Sequence, residues 1–186
     1  MTRGEPREGD FPGSGALFLD RDGILMEDLG YVGNPDDVRV IEAGADTLRR
    51  AQALGYKLIV LTNQSGVARG KFDLEAVSRV NQRLIEEWAA RGVHLDDVLV
   101  CPALDGEDRK PRPGMALKAA AQYGLDLARS FMVGDKDSDV LEDVPVRSFL
   151  IPGRYPVKRT DRVATWEQIQ ATLDGLLGMS YHHTRR

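Results

Sequence analysis

Two carboxylates, Asp20 and Asp22, stand one residue apart at the end of a short apolar run, Ala16-Leu17-Phe18-Leu19, and Gly23 follows at once. Carboxylates this close can share a pocket, hold a hard cation and divide nucleophilic from acid–base work. The apolar run reads as a buried strand of a parallel sheet. In open α/β sheets, ligands bind beyond the carboxyl ends of such strands. Gly23 lets the chain turn away with a positive φ. Taken alone, Asp-x-Asp-Gly also fits an aspartate that caps the next turn.

The pattern recurs down the chain. Lys57 to Leu61 is a second apolar run and ends in Thr62-Asn63-Gln64-Ser65-Gly66. Phe131-Met132-Val133 ends in Gly134-Asp135-Lys136, with Asp139 close behind. Val98 to Cys101 and Val146 to Ile151 read as two further strands, and Lys110 precedes a helix. Between these runs lie amphipathic segments. Ala45, Leu48, Ala51 and Leu54 recur at helical spacing and stop at Gly55. Asp73 can cap a helix carrying Val77, Val80, Leu84 and Trp88, which ends near Gly92. A third helix follows Pro113-Gly114 and closes at Gly124. Thr165 to Gln168 has the capping-box pattern, before a last helix through Leu177. Strands alternating with helices predict an α/β fold, a Rossmann-like three-layer sandwich with a parallel central sheet. In such a sheet the polar strand ends converge on one edge.

Bulk properties narrow the function classes. A chain of 186 residues suits one well-cored domain, read here as 15–178 between a charged leader, 1–14, and a tail, 179–186. The tail's His182 and His183 read as solvated rather than metal-binding. A formal net charge of −4 argues against a nucleic-acid binder. The single cysteine, Cys101, excludes an internal disulfide framework and fits a reducing compartment, so a cytoplasmic location is expected. No run is apolar enough to span a membrane, and the leader lacks the apolar stretch of a secretory signal. A monomer acting on a small molecule is expected.

Four segments together resemble the motifs of the haloacid dehalogenase superfamily of phosphohydrolases, in order and rough spacing. They are Asp20-Arg21-Asp22-Gly23, Leu61 to Gly66, Arg109-Lys110-Pro111, and Gly134-Asp135-Lys136 with Asp139. Within it the chain is similar to the family of heptose bisphosphate and histidinol-phosphate phosphatases. Gly30-Tyr31-Val32 and Ser65-Gly66-Val67-Ala68-Arg69-Gly70-Lys71-Phe72 favour the heptose branch. The resemblance implies a Mg2+-dependent phosphomonoesterase working through an aspartyl phosphate. The implied reaction removes the 7-phosphate of D-glycero-D-manno-heptose 1,7-bisphosphate. Histidinol phosphate or another small sugar phosphate is the alternative, and a non-catalytic phosphate-binding relative the second.

In that scheme Asp20 is the nucleophile and Asp22 the acid and base. Asp20, the backbone carbonyl of Asp22, and Asp135 hold the metal, with Asp139 in its outer shell. Thr62 donates to the phosphoryl oxygens, and Lys110 supplies positive charge and restrains Asp20. Asn63, Gln64, Ser65, Arg69, Lys71, Arg109 and Lys136 are the implied substrate contacts. Asp139 also fits a helix cap, and Arg69 and Lys71 also fit a solvated loop. Many superfamily members carry a cap domain after the first or second strand, but neither the segment from Ile24 to Ala43 nor the stretch after the second strand has room for a large one. The heptose branch has a zinc loop after the third strand. Here Cys101-Pro102 keeps its start, while Ala103, Gly106 and Asp108 stand where a histidine and two cysteines belong. One thiol does not make a four-ligand site, so no structural zinc is expected.

Overall fold

The computed structural model describes residues 15–180, with side chains as far as Gly175. The leader read at 1–14 lies outside the described residues, as does the end of the tail at 181–186.

Five strands form one parallel sheet: β1 (Ala16–Leu19), β2 (Lys57–Asn63), β3 (Asp97–Cys101), β4 (Phe131–Gly134) and β5 (Arg147–Leu150). Their spatial order is β3-β2-β1-β4-β5. The chain winds outward from β1 to β3, then crosses back to the other side of β1. The order reverses between β1 and β4, and there the crevice of an open α/β sheet opens. Leu19 is in register with Val133, and the Asp20 N–H donates to the Val133 carbonyl at 2.9 Å. Asp20 and Asp135 therefore leave the sheet on adjacent strands.

Alternation along the strands builds two cores. Leu17, Leu19, Leu58, Val60 and Val133 face α1 (Ala45–Ala53), α2 (Leu74–Ala89) and α4 (Trp166–Ser180). Ala16, Phe18, Ile59, Leu61 and Met132 face α3 (Gly114–Tyr123). All four residues of β1 are fully buried, as a strand central to a sheet covered on both faces requires. The caps follow the sequence. Asp73 accepts from the Ala76 N–H at 2.8 Å at the start of α2. Thr165 and Gln168 exchange side-chain-to-backbone bonds at the start of α4. That helix runs to Ser180, three residues beyond the expected Leu177.

The segment after β1 is more ordered than a loop reading implies. Ile24, Leu25, Met26 and Val32 are buried, and Met26 bridges Val40. Trp88 on α2 donates its indole N–H to the Leu25 carbonyl at 3.3 Å. The segment thus packs against the domain and carries no cap. Among the described residues, no helix is long and apolar enough to cross a membrane.

Candidate active site

The strand ends of β1, β2 and β4 meet the segment around Lys110 at the switch point. Lys110 is buried and bridges two carboxylates: its Nζ donates to Asp20 Oδ1 at 2.9 Å and to Asp139 Oδ1 at 2.6 Å. Burial pulls the Lys110 pKa down, but the charges of Asp139 and Asp20 outweigh that, so the ammonium titrates above its ordinary range. The other Asp139 oxygen accepts the backbone N–H groups of Asp135 and Lys136, each at 3.1 Å. Both Asp139 oxygens thus accept hydrogen bonds, and the side chain ties the end of β4 to Lys110. A side chain at Gly134 would not fit, because its Cβ would stand 2.1 Å from Asp139 Oδ2.

Asp135 is the opposite case. It is wholly buried, and among the described residues neither of its oxygens has a hydrogen-bond partner. Such a group costs free energy unless something positive completes it. Burial raises its pKa to about 7, against the pull of Lys136 and with help from Asp20 and Asp139. Burial likewise raises Asp139, seconded by Asp20 and opposed by Lys110. Ligand oxygens of Asp20, Asp135 and Asp139 lie within 4.8 Å of one another, the one such acidic cluster among the described residues. An all-oxygen donor set with an orphaned carboxylate fits a hard cation such as Mg2+. Gly23 makes room for it: its φ is +90°, and a Cβ there would lie 2.2 Å from Asp135 Oδ2.

Asp22 is held by its neighbour. Arg21, fully buried, donates Nε to Asp22 Oδ2 at 2.9 Å and Nη2 to Oδ1 at 3.0 Å. Its Nη1 donates to Asn81 Oδ1 on α2 at 2.9 Å. Gln64 adds a bond to Asp22 Oδ2 at 2.9 Å and one to Thr62 Oγ1 at 2.8 Å. The Asp22 side chain therefore belongs to this donor network, and the third carboxylate of the cation-sized cluster is Asp139.

A cavity of about 430 Å3 opens above these groups. Of the residues expected to form the site, Asp20, Asp22, Asn63, Gln64, Ser65, Arg109, Lys110, Lys136 and Asp139 line it. Thr62 does not reach its wall; it is wholly buried beneath Gln64. Arg69 and Lys71 are exposed and do not line it, although Lys71 Nζ lies 5.8 Å from the ring centre of Tyr31, which does. Asn63 faces the cavity, but its amide is spent on Lys110: Nδ2 donates to the Lys110 carbonyl and Oδ1 accepts the Lys110 N–H, each at 3.1 Å. The peptide bond between Lys110 and Pro111 is cis.

The loop after β3 is tied by polar contacts. Arg109 donates to the Ala103 carbonyl at 3.0 Å, Arg112 pairs with Asp105 at 2.6 Å, and Lys118 pairs with Asp108. The Gly114 N–H reaches the Glu107 carbonyl at 2.9 Å.

Sequence reasoning missed Arg21, Asn81, Asp28, Ser138, Arg154 and Tyr155. Arg21 and Asn81 carry no local signal, since their partners lie across the fold or depend on a bend. Arg154 and Tyr155 follow Phe149-Leu150-Ile151 at the end of β5, the same strand-end signal that marked Asp20, and it was there to be read.

A family model described as HAD-hydrolase-like matches residues 108–142. The chain is 39% identical over 149 residues to the D-glycero-beta-D-manno-heptose-1,7-bisphosphate 7-phosphatase of Helicobacter pylori, covering 77% of this chain and 86% of that one. It is 36% identical over 181 residues to the enzyme of the same name from Photorhabdus laumondii, covering 92% and 89%. A solved structure of D,D-heptose 1,7-bisphosphate phosphatase from B. bronchiseptica, complexed with magnesium and phosphate, superposes with a TM-score of 0.73. It is 27% identical, over 89% of this chain and 99% of that one.

Proposed function

We propose that this chain, which belongs to the heptose 1,7-bisphosphate phosphatase family of haloacid dehalogenase-like hydrolases, removes the 7-phosphate of D-glycero-D-manno-heptose 1,7-bisphosphate and leaves the 1-phosphate in place. The observation that carries the reading is Lys110, fixed between Asp20 and Asp139 beside an Asp135 that, among the described residues, accepts no hydrogen bond. That is a nucleophile with its charge compensated next to a carboxylate suited to a cation. The substrate for which these relatives are named supports the choice of sugar.

A phosphate monoester repels an anionic nucleophile, so charge must be neutralised before attack. Mg2+, held by Asp20, Asp135 and the Asp22 carbonyl that the family resemblance implies, would supply that neutralisation at the phosphoryl oxygens. Lys110 adds a fixed positive charge and holds Asp20 Oδ1, which leaves Oδ2 as the attacking atom. Oδ2 bonds to phosphorus as the ester P–O bond breaks, and Asp22, which takes up a proton before attack, gives that proton to the departing sugar oxygen. Asp22, now a carboxylate, takes a proton from water. That water attacks phosphorus, the Asp20–phosphorus bond breaks, and inorganic phosphate leaves. Arg21 and Gln64 keep the Asp22 carboxyl oriented throughout. Thr62 acts through Gln64, and Asn63 through the backbone of Lys110. Ser65 and Arg109 are the substrate contacts supported by their place in the cavity wall; Lys136 shares that wall, but its ammonium is paired with Asp28.

The test compares specificity constants in Mg2+ for the heptose bisphosphate and for histidinol phosphate, with the product identified by phosphorus NMR. The expected product retains the anomeric phosphate. A preference for histidinol phosphate would move the chain to the other branch.

A further inference from the structure

The segment after β5 closes one side of the cavity, and it is built rather than loose. Asp137 accepts the backbone N–H of Lys158 at 3.0 and 3.1 Å and that of Arg159 at 2.9 Å, which staples the segment to the end of β4. Gly153 passes so close to Asp135 that a Cβ would lie 3.2 Å from Oδ2. Arg154 and Tyr155 then reach the cavity wall.

Asp28, from the segment after β1, ties this wall together. Its side chain is 5% exposed and accepts Lys136 Nζ at 3.0 Å and the Gly30 N–H at 2.8 Å. Arg154 Nη1 donates to the Asp28 carbonyl at 3.0 Å and lies 3.8 Å from Oδ1. The Tyr155 ring carries both cations: Lys136 Nζ is 4.8 Å and Arg154 Cζ 5.7 Å from its centre.

The two cations are not equivalent. Lys136 sits within 4 Å of two carboxylates and is one-third exposed. Its charge is spent inside the protein. Arg154 is 56% exposed, and only Nη1 is bonded among the described residues. Its Nε and Nη2 remain as a fork, which is what a phosphate accepts in two parallel bonds.

Resting on the sugar-bisphosphate reading, we infer that Arg154 is a specificity-determining residue that grips the phosphate that is not cleaved, with Tyr155 holding the guanidinium in place. Among the described residues no cap covers the cavity, and the stapled segment after β5 supplies in its stead a wall that measures the far end of the substrate. A cavity of about 430 Å3 lies within the range of small-ligand sites.

The test is the ratio of two specificity constants in Mg2+: heptose 1,7-bisphosphate over heptose 7-phosphate, which share the reacting ester and differ in the remote charge. Arg154→Ala should lower that ratio at least tenfold, chiefly through the KM of the bisphosphate. Arg154→Lys should recover part of it, because the charge returns without the fork. Tyr155→Ala should lower it less. A fold defect would depress both constants together and leave the ratio in place, which would overturn the inference. A wild-type enzyme that prefers the bisphosphate, beside an Arg154→Ala variant that keeps the full preference, overturns the inference alone. A wild-type enzyme with no preference overturns the bisphosphate reading and the inference together.

Discussion

Arg21 grips the carboxylate of the very next residue, Asp22, with two N–H groups at 2.9 and 3.0 Å, and does so fully buried. Consecutive side chains on a strand point to opposite faces. The pair closes only because the chain leaves β1 at Leu19 and bends toward Gly23. Asn81, 60 residues on in sequence and within α2, completes the guanidinium at 2.9 Å. Removing the cation leaves a buried carboxylate with Gln64 alone.

Arg21→Met should therefore cost about 3–5 kcal/mol of stability, the range for breaking one side of a buried ion pair. Asn81→Ala should cost about 1–3 kcal/mol, because it strands one N–H of the guanidinium. Urea unfolding checks both. Losses under about 0.5 kcal/mol, the range of ordinary surface changes, would show that the pair does not hold the turn.

Asp20→Asn tests the nucleophile. The amide oxygen can still accept from Lys110, and Asp139 still holds that lysine, so the thermal midpoint should stay near wild type. Phosphate release should fall by roughly 10^4-fold or more, as when other enzymes lose their nucleophile. A folded Asp20→Asn protein with near wild-type turnover would remove the aspartyl-phosphate route.

Much of this was legible in the sequence, and the reason is local. Four of the five strands, all but β5 with its Arg147 and Ser148, are built on an apolar run, and the polar residues at the ends of β1, β2 and β4 mark where the chain leaves the sheet. Asp73 and Thr165 announced their helices because a cap is a short-range bond. What stayed hidden was distance. Nothing near Asn81 says that it faces Arg21, and nothing near Asp28 says that it joins Lys136 to Arg154. Thr62 shows the limit of motif spacing: it sits at the expected strand end, yet its hydroxyl accepts from Gln64 below the cavity wall. Arg69 and Lys71 show it again, since a charge in the right segment can still lie outside the cavity.

Asp22→Asn separates acid catalysis from attack. An alkoxide leaves poorly without a proton, whereas an activated aryl phosphate leaves as a stable phenolate. The variant should lose about 10^2–10^4-fold in kcat on the sugar phosphate. On p-nitrophenyl phosphate the loss in the first step should be much smaller, and it shows in the rapid release of nitrophenol in a single turnover. Equal losses on both substrates would take the proton-donor role away from Asp22.

Asp135 links metal, pH and stability. Its carboxyl titrates near 7 in the metal-free fold, against 3.8 for the ordinary group. A raised carboxyl pKa means that the folded state binds more protons than the unfolded state between those values. The associated stability is complete below about pH 4 and is lost as pH climbs through 7, by up to about 4 kcal/mol. Metal-free protein should therefore unfold more easily at pH 8 than at pH 6. Added Mg2+ should raise the midpoint more at pH 8, because the cation competes with fewer protons for the same carboxylate. Asp135→Asn removes the buried charge at any pH. It should make the metal-free protein more stable than wild type at pH 8, abolish the Mg2+ effect on the midpoint, and end turnover. Thermal melts with chelator and with Mg2+ at the two pH values decide it. A variant that is less stable than wild type without metal at pH 8 would show that the Asp135 carboxylate has a partner and is not the group that awaits the cation.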